Sequence, residues 1–114
     1  MEKAKMKETY PLTGGEKITW EDNTGEKRIC WGKTKFSFSE AEINNVLQEF
    51  FKNKNTWYPL GASMTAPMSG GLGKYIQGRY PSLTPRHASA IAAIMQHEKQ
   101  IESRGKRPIE LKKK

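Results

Sequence analysis

Two histidines, one cysteine and a glycine-rich stretch are the parts of this chain that most readily suggest chemistry. His87 and His97 stand ten residues apart, beyond the i, i+4 spacing that brings two ligands to one metal, and no Cys, Asp or Glu completes a set. Cys30 sits between Ile29 and Trp31, the setting of a small core residue; a lone cysteine also leaves no intrachain disulfide. The stretch SGGLGKY approaches a phosphate-binding loop, but G-x-x-x-x-G-K-[ST] needs a glycine where Met68 stands and Ser or Thr where Tyr75 stands. Its glycines better serve a turn into a helix. No loop pairs two acidic residues for general acid–base work. The expectation is a protein without catalytic residues, metal or cofactor.

The remaining chemistry is charge. Net charge is +8 over 114 residues, and its distribution is uneven. Residues 1–38 carry 8 basic and 6 acidic groups, 39–60 carry 2 and 3, and 61–114 carry 10 and 3, so the last segment holds +7. A basic face is the electrostatic footprint of a polyphosphate partner, DNA or RNA. The bland alternative is a lysine-rich solubility coat.

The elements that must position those charges can be read along the chain. The length suits one domain, with residues 1–15 as a flexible N-terminus and 16–114 as the folded unit. Ile18-Thr19-Trp20 and Arg28-Ile29-Cys30-Trp31 flank an Asp-Asn-Thr-Gly cluster, which predicts a β-hairpin, and Phe36 and Phe38 alternate with polar residues in a third short strand. Trp20 and Trp31 then read as core or cross-strand contacts, with a stacking platform for bases as the alternative. Ser39 and Glu42 have capping-box spacing, and Ile43, Val46, Leu47, Phe50 and Phe51 form one apolar stripe, so a helix should run from Ser39 to near Asn55. Thr56-Trp57-Tyr58 suggests a short edge strand before Pro59, followed by a surface loop over 59–71 containing Met64 and Met68.

Leu72, Tyr75, Ile76 and Tyr80 predict a second helix ending before Pro81, and Thr84 with Pro85 opens a third whose apolar face is Ala88, Ile91, Ala92 and Met95. The few residues between the two have helix-turn-helix spacing. At the C-terminus, Ile101, Ile109 and Leu111 flank Ser103-Arg104-Gly105-Lys106. This predicts a hairpin over 101–112 with Arg104, Lys106 and Arg107 at or beside its tip. The competing reading extends the third helix through Ser103, with Gly105 as its terminating glycine and a tail beyond. The hairpin is preferred because it gives "PIEL" a role as the returning strand.

The order helix, strand, helix, turn, helix, basic hairpin over residues 39–113, carried by LGKYIQGRYPSLTPRHASAIAAIMQHEKQIESRGKRPIELKK, resembles the winged-helix branch of the helix-turn-helix superfamily. The fold class expected is α+β, an N-terminal β-hairpin followed by a winged-helix-like three-helix unit with a C-terminal β-hairpin. The resemblance implies a third helix in the DNA major groove and a wing on the backbone or minor groove. It would place Arg86, His87, Ser89, Ala90, Ala93 and His97 among groove-facing positions, Arg104, Lys106 and Arg107 on the wing, and Lys74 and Arg79 on phosphates from the second helix. Duplex DNA is favoured over RNA as the partner, because the deep groove of A-form RNA does not admit a helix. A role in transcription regulation follows as an expectation.

Against that picture, HASAIAAIM is nearly apolar all round and poor in groups that read bases, which suits a helix buried under the N-terminal hairpin or against a partner. A second hypothesis is therefore a protein-interaction module or homodimer using this helix or the Met-containing loop. With no apolar signal segment and no run long enough to span a bilayer, an intracellular, cytoplasmic protein with no membrane contact is expected.

Overall fold

A computed structural model describes residues 6–12, 14–65, 68–106 and 109–114. The fold is mixed α+β, with three helices and two antiparallel sheets. The first sheet is a meander in the order β1-β2-β3-β4, formed by Met6–Thr9, Ile18–Asn23, Glu26–Trp31 and Thr34–Ser39. The expected hairpin is thus the centre of a four-stranded sheet. Its outer strand β1 comes from the stretch expected to be flexible, with Met6 opposite Glu21 and Thr9 opposite Ile18.

Tight turns set the register. Between β2 and β3, Thr24 (φ 30°) and Gly25 (φ 82°) both have positive φ, as a type I′ turn requires, and Trp20 therefore lies opposite Ile29. Gly32 (φ 59°) begins the β3–β4 turn, which brings Ile29 opposite Phe36. With side chains alternating, Ile18, Trp20, Ile29 and Phe38 are buried on one face.

Ser39 then caps α1 (Glu40–Glu49): its hydroxyl accepts from the Glu42 amide at 3.0 Å while the Glu42 carboxylate accepts from the Ser39 amide at 2.8 Å. The helix stops at Glu49, short of the expected end near Asn55. The amides of Phe50 and Phe51 both bond to the Val46 carbonyl, and this turn drives Phe51 into the core. Beyond it, β5 (Tyr58–Pro59) is a two-residue edge strand, the position in which a proline's missing N–H costs least.

The second sheet has the order β5-β7-β6, its hairpin formed by β6 (Ile101–Arg104) and β7 (Glu110–Lys113). The hairpin reading of the C-terminus therefore stands over the helix-and-tail reading. In the chain, α2 (Leu72–Arg79) and α3 (His87–His97) lie between β5 and β6. Thr84 opens the turn into α3, where the amides of His87, Ala88 and Ser89 bond to the carbonyls three residues earlier. The far end closes on Lys99, at φ 63°, with the Gln100 amide bonded to Met95 O and the Lys99 amide to Gln96 O. These are the paired bonds of a helix stop that usually carries glycine. Lys99→Gly should stabilise the protein by about 1 kcal/mol by relieving the left-handed strain. The check is a raised urea midpoint at unchanged slope.

Every residue of α3 from Ala88 to Met95 is buried. Ile91 and Ile94 face Ile29 and Phe38 of the first sheet and Ile43 of α1 around one small void. At the helix ends, the His87 ring meets Phe36 edge-on at 4.8 Å between centroids, and His97 meets Trp20 at 5.2 Å. The first sheet thus covers α3 along its length.

Candidate nucleic-acid interface

The cover on α3 corrects the expected groove-reading face. Ser89, Ala90 and Ala93 are all buried and cannot touch a base. Uncovering them would expose Ile18, Trp20, Ile29 and Phe38, at about 1.5–3 kcal/mol each, or roughly 6–12 kcal/mol together. Groove contact through these three residues would require the first sheet to leave α3. The same burial removes the Ala-rich helix as a surface for a protein partner, leaving Met64 and Met68 exposed in their loop.

The remaining expected contacts fall into separate environments. Arg79 is committed to the Glu49 carboxylate at 3.2 Å and lies over the Tyr80 ring at 5.1 Å. Tyr75 donates to the same carboxylate at 2.6 Å; burial and this hydrogen bond push its phenol well above the usual range. Arg79 is thus part of an α1–α2 clasp. Lys74 projects from α2, exposed and without an ion pair among the described residues. His97 is exposed beside Trp20.

On the C-terminal hairpin, the Arg104 guanidinium lies 4.1 Å from the centre of the Trp57 ring and the Lys112 ammonium lies 5.0 Å from it. The Arg104 Nε also donates to Glu110 on the opposing strand at 3.0 Å. Cation–π contacts of this kind hold long side chains in place at a cost of little solvation, because the charged ends stay partly wet. Lys106 extends from the tip, exposed. Arg107 lies outside the described residues. Trp57 is the member of this arrangement that local sequence signals leave in a strand with no role, although its place just before an edge strand that pairs with β7 is what brings it to the hairpin.

Arg86 and His87 belong to a different place, a cleft of about 410 Å³ between the first sheet and the turn into α3. The Arg86 guanidinium lies over the Trp31 ring at 5.3 Å. Burial holds the His87 imidazole below its ordinary value, and the Thr84 amide donates to Nδ1 at 3.0 Å, which leaves the ring proton on Nε2. Lys33 and Glu16 also line the cleft, without an ion pair among the described residues.

Among the described residues no group of three or more His, Cys, Asp or Glu could hold a metal ion, and no helix is long and apolar enough to cross a membrane. Compared with family models, with curated proteins and with solved structures, the chain matches none.

Proposed function

We propose that the protein binds nucleic acid without catalysing a reaction, gripping the phosphates of duplex DNA with the β6–β7 hairpin. The observation that carries this reading is the charge of that hairpin. Residues 101–114 contain six basic and two acidic residues, a net +4, and Glu110 is already taken by Arg104. Such a concentration of positive charge in one small projection is costly to maintain in isolation and is relieved by a polyanion. Duplex DNA, with about one charge per 1.7 Å of axis, is a polyanion of this kind.

We read residues 39–113, three helices with the three-stranded sheet β5-β7-β6, as a winged-helix-type unit whose basic hairpin is the wing, although the four-stranded sheet that precedes it is not the simple N-terminal hairpin expected. With α3 covered, the contact is made by the wing and by exposed cations such as Lys74, and carries little sequence information. Any part in transcription would then depend on where the protein is delivered rather than on bases it reads.

Arg104→Glu combined with Lys106→Glu should weaken duplex binding by tenfold or more. It should also lower the slope of log K against log salt by about 0.9 for each phosphate no longer engaged. The weakening should be equal across DNA sequences. An unchanged slope would remove the hairpin from the interface.

A further inference from the structure

We infer that the cleft between the first sheet and the turn into α3 is a separate binding site for a nucleoside phosphate, with the phosphate on Lys33 and Arg86 and the base against the Trp31–Arg86 pair. The site contains no residue of the C-terminal hairpin, so it goes beyond the duplex-binding reading and does not depend on it.

The chemistry of the lining favours this class of ligand. A volume of about 410 Å³ falls within the range of small-molecule sites. Lys33 and Arg86 are exposed cations with no carboxylate partner among the described residues, so an anion entering the cleft displaces no existing ion pair. The Arg86 guanidinium lies over the Trp31 ring at 5.3 Å, so a cation and an indole stand side by side where an unpaired base can be held by stacking. His87 adds one donor, because Thr84 occupies its Nδ1 and the proton is therefore on Nε2. Glu16 contributes an acceptor suited to a base N–H. A phosphate alone would engage the cations but leave the aromatic wall and the acceptor unused. An uncharged nucleoside would do the reverse.

The cleft is assembled from distant segments, which argues against an accidental dent in one element. Trp31 comes from the end of β3, Lys33 from the β3–β4 turn, Glu16 from the approach to β2, Met64 from the loop after β5, and Arg86 and His87 from the start of α3. The Glu16 carboxylate lies against Gly32, in space that the missing Cβ leaves open.

Calorimetric titration of the full chain with guanosine 5′-monophosphate, guanosine and inorganic phosphate tests the site, with a 5′-phosphorylated and a 5′-hydroxyl single-stranded tetranucleotide as further arms. The nucleotide should bind at least tenfold more tightly than either guanosine or phosphate. Lys33→Ala and Arg86→Ala, both at exposed positions, should each weaken it by tenfold or more, while Lys106→Glu should leave it unchanged. Tighter binding of the phosphorylated tetranucleotide than of the mononucleotide would identify a strand end as the source, and the reverse would identify a free nucleotide. Nucleotide binding no tighter than phosphate, or unaffected by Arg86→Ala, would overturn the assignment. Neither result bears on duplex binding by the hairpin, which Lys106→Glu reads separately.

Discussion

Lys27→Met is expected to destabilise the protein by about 2–3 kcal/mol, a large share of the stability of a domain this size. Lys27 is only 3 % exposed, yet its ammonium group reaches three carboxylates: Asp22 at 2.6 Å, Glu98 at 3.2 Å and Glu40 at 3.3 Å. Lys7 completes the cluster, at 3.0 Å from Asp22 and 3.2 Å from Glu98. The cluster joins β1, β2 and β3 to the start of α1 and the end of α3, so it fixes the sheet over the helix. Removing Lys27 leaves three carboxylates facing one lysine. The figure sits below the full cost of breaking a buried pair because Asp22 and Glu40 remain partly solvated.

The pH dependence of this effect follows from the sign of each shift. For Asp22 and Glu98, burial is the largest influence and would raise the carboxyl, but hydrogen bonds from Lys27 and Lys7 outweigh it and hold both below their ordinary values of 3.8 and 4.5. Their contribution is present above those values and is lost as pH falls through the lowered ones. For Lys27, burial would lower the ammonium, but the bonds to Asp22 and Glu98 outweigh it and raise it above 10.5. That contribution is present below 10.5 and is lost as pH rises through the raised value. The gap in unfolding free energy between wild type and Lys27→Met should therefore be flat between about pH 5 and 10 and narrow on both sides. A variant as stable as wild type at pH 7 would show the cluster to be incidental.

Gly73→Ala should cost about 3 kcal/mol, because the new methyl group has only backbone to meet. A Cβ there would overlap the Gly61 carbonyl oxygen and lie 2.9 Å from its carbon and 3.1 Å from Ala62 Cα. No rotamer change relieves such a clash. The Gly73 amide is bonded to Leu60 O at 2.9 Å, so α2 cannot back away without giving up that bond. Gly61 itself holds φ 56° and its own Cβ would approach Met68, so the two glycines let the loop and the helix pack backbone to backbone. Gly78 on the same helix is the internal control. A Cβ there meets nothing within 4 Å, and Gly78→Ala should stabilise by about 0.5–1 kcal/mol through helix propensity. Denaturant melts of the two variants should move in opposite directions, and equal shifts would rule out close packing at Gly73.

Local signals carried most of the elements. The Ser39–Glu42 capping box, the turn at Thr24-Gly25 and the strand–turn–strand pattern of the C-terminus each involve residues a few positions apart, where backbone chemistry is decided. The all-apolar character of HASAIAAIM also indicated a covered helix, and it outweighs the groove-reading role that the family resemblance would assign to Ser89 and Ala93. What escaped was long-range. Nothing in "MKET" marks a strand, because β1 is held by pairing with β2 and by Lys7 reaching Asp22 and Glu98, ninety-one positions away in the second case. Lys27 did leave a trace: strand alternation puts it on the same face as Ile29 and Trp31, the face that turns inward. A lysine on that face signals a buried ion pair. The Arg86–Trp31 contact that shapes the cleft joins segments whose proximity depends on the whole fold.

Binding of a random-sequence DNA duplex can be measured across a salt series, beside a polylysine-like peptide of equal charge. The protein should bind at micromolar concentration in low salt, lose affinity steeply as salt rises, and retain the same affinity when the duplex sequence is changed. Binding no stronger than that of the peptide would rule out the hairpin as a nucleic-acid contact and make the charge of the C-terminal half a solvated surface.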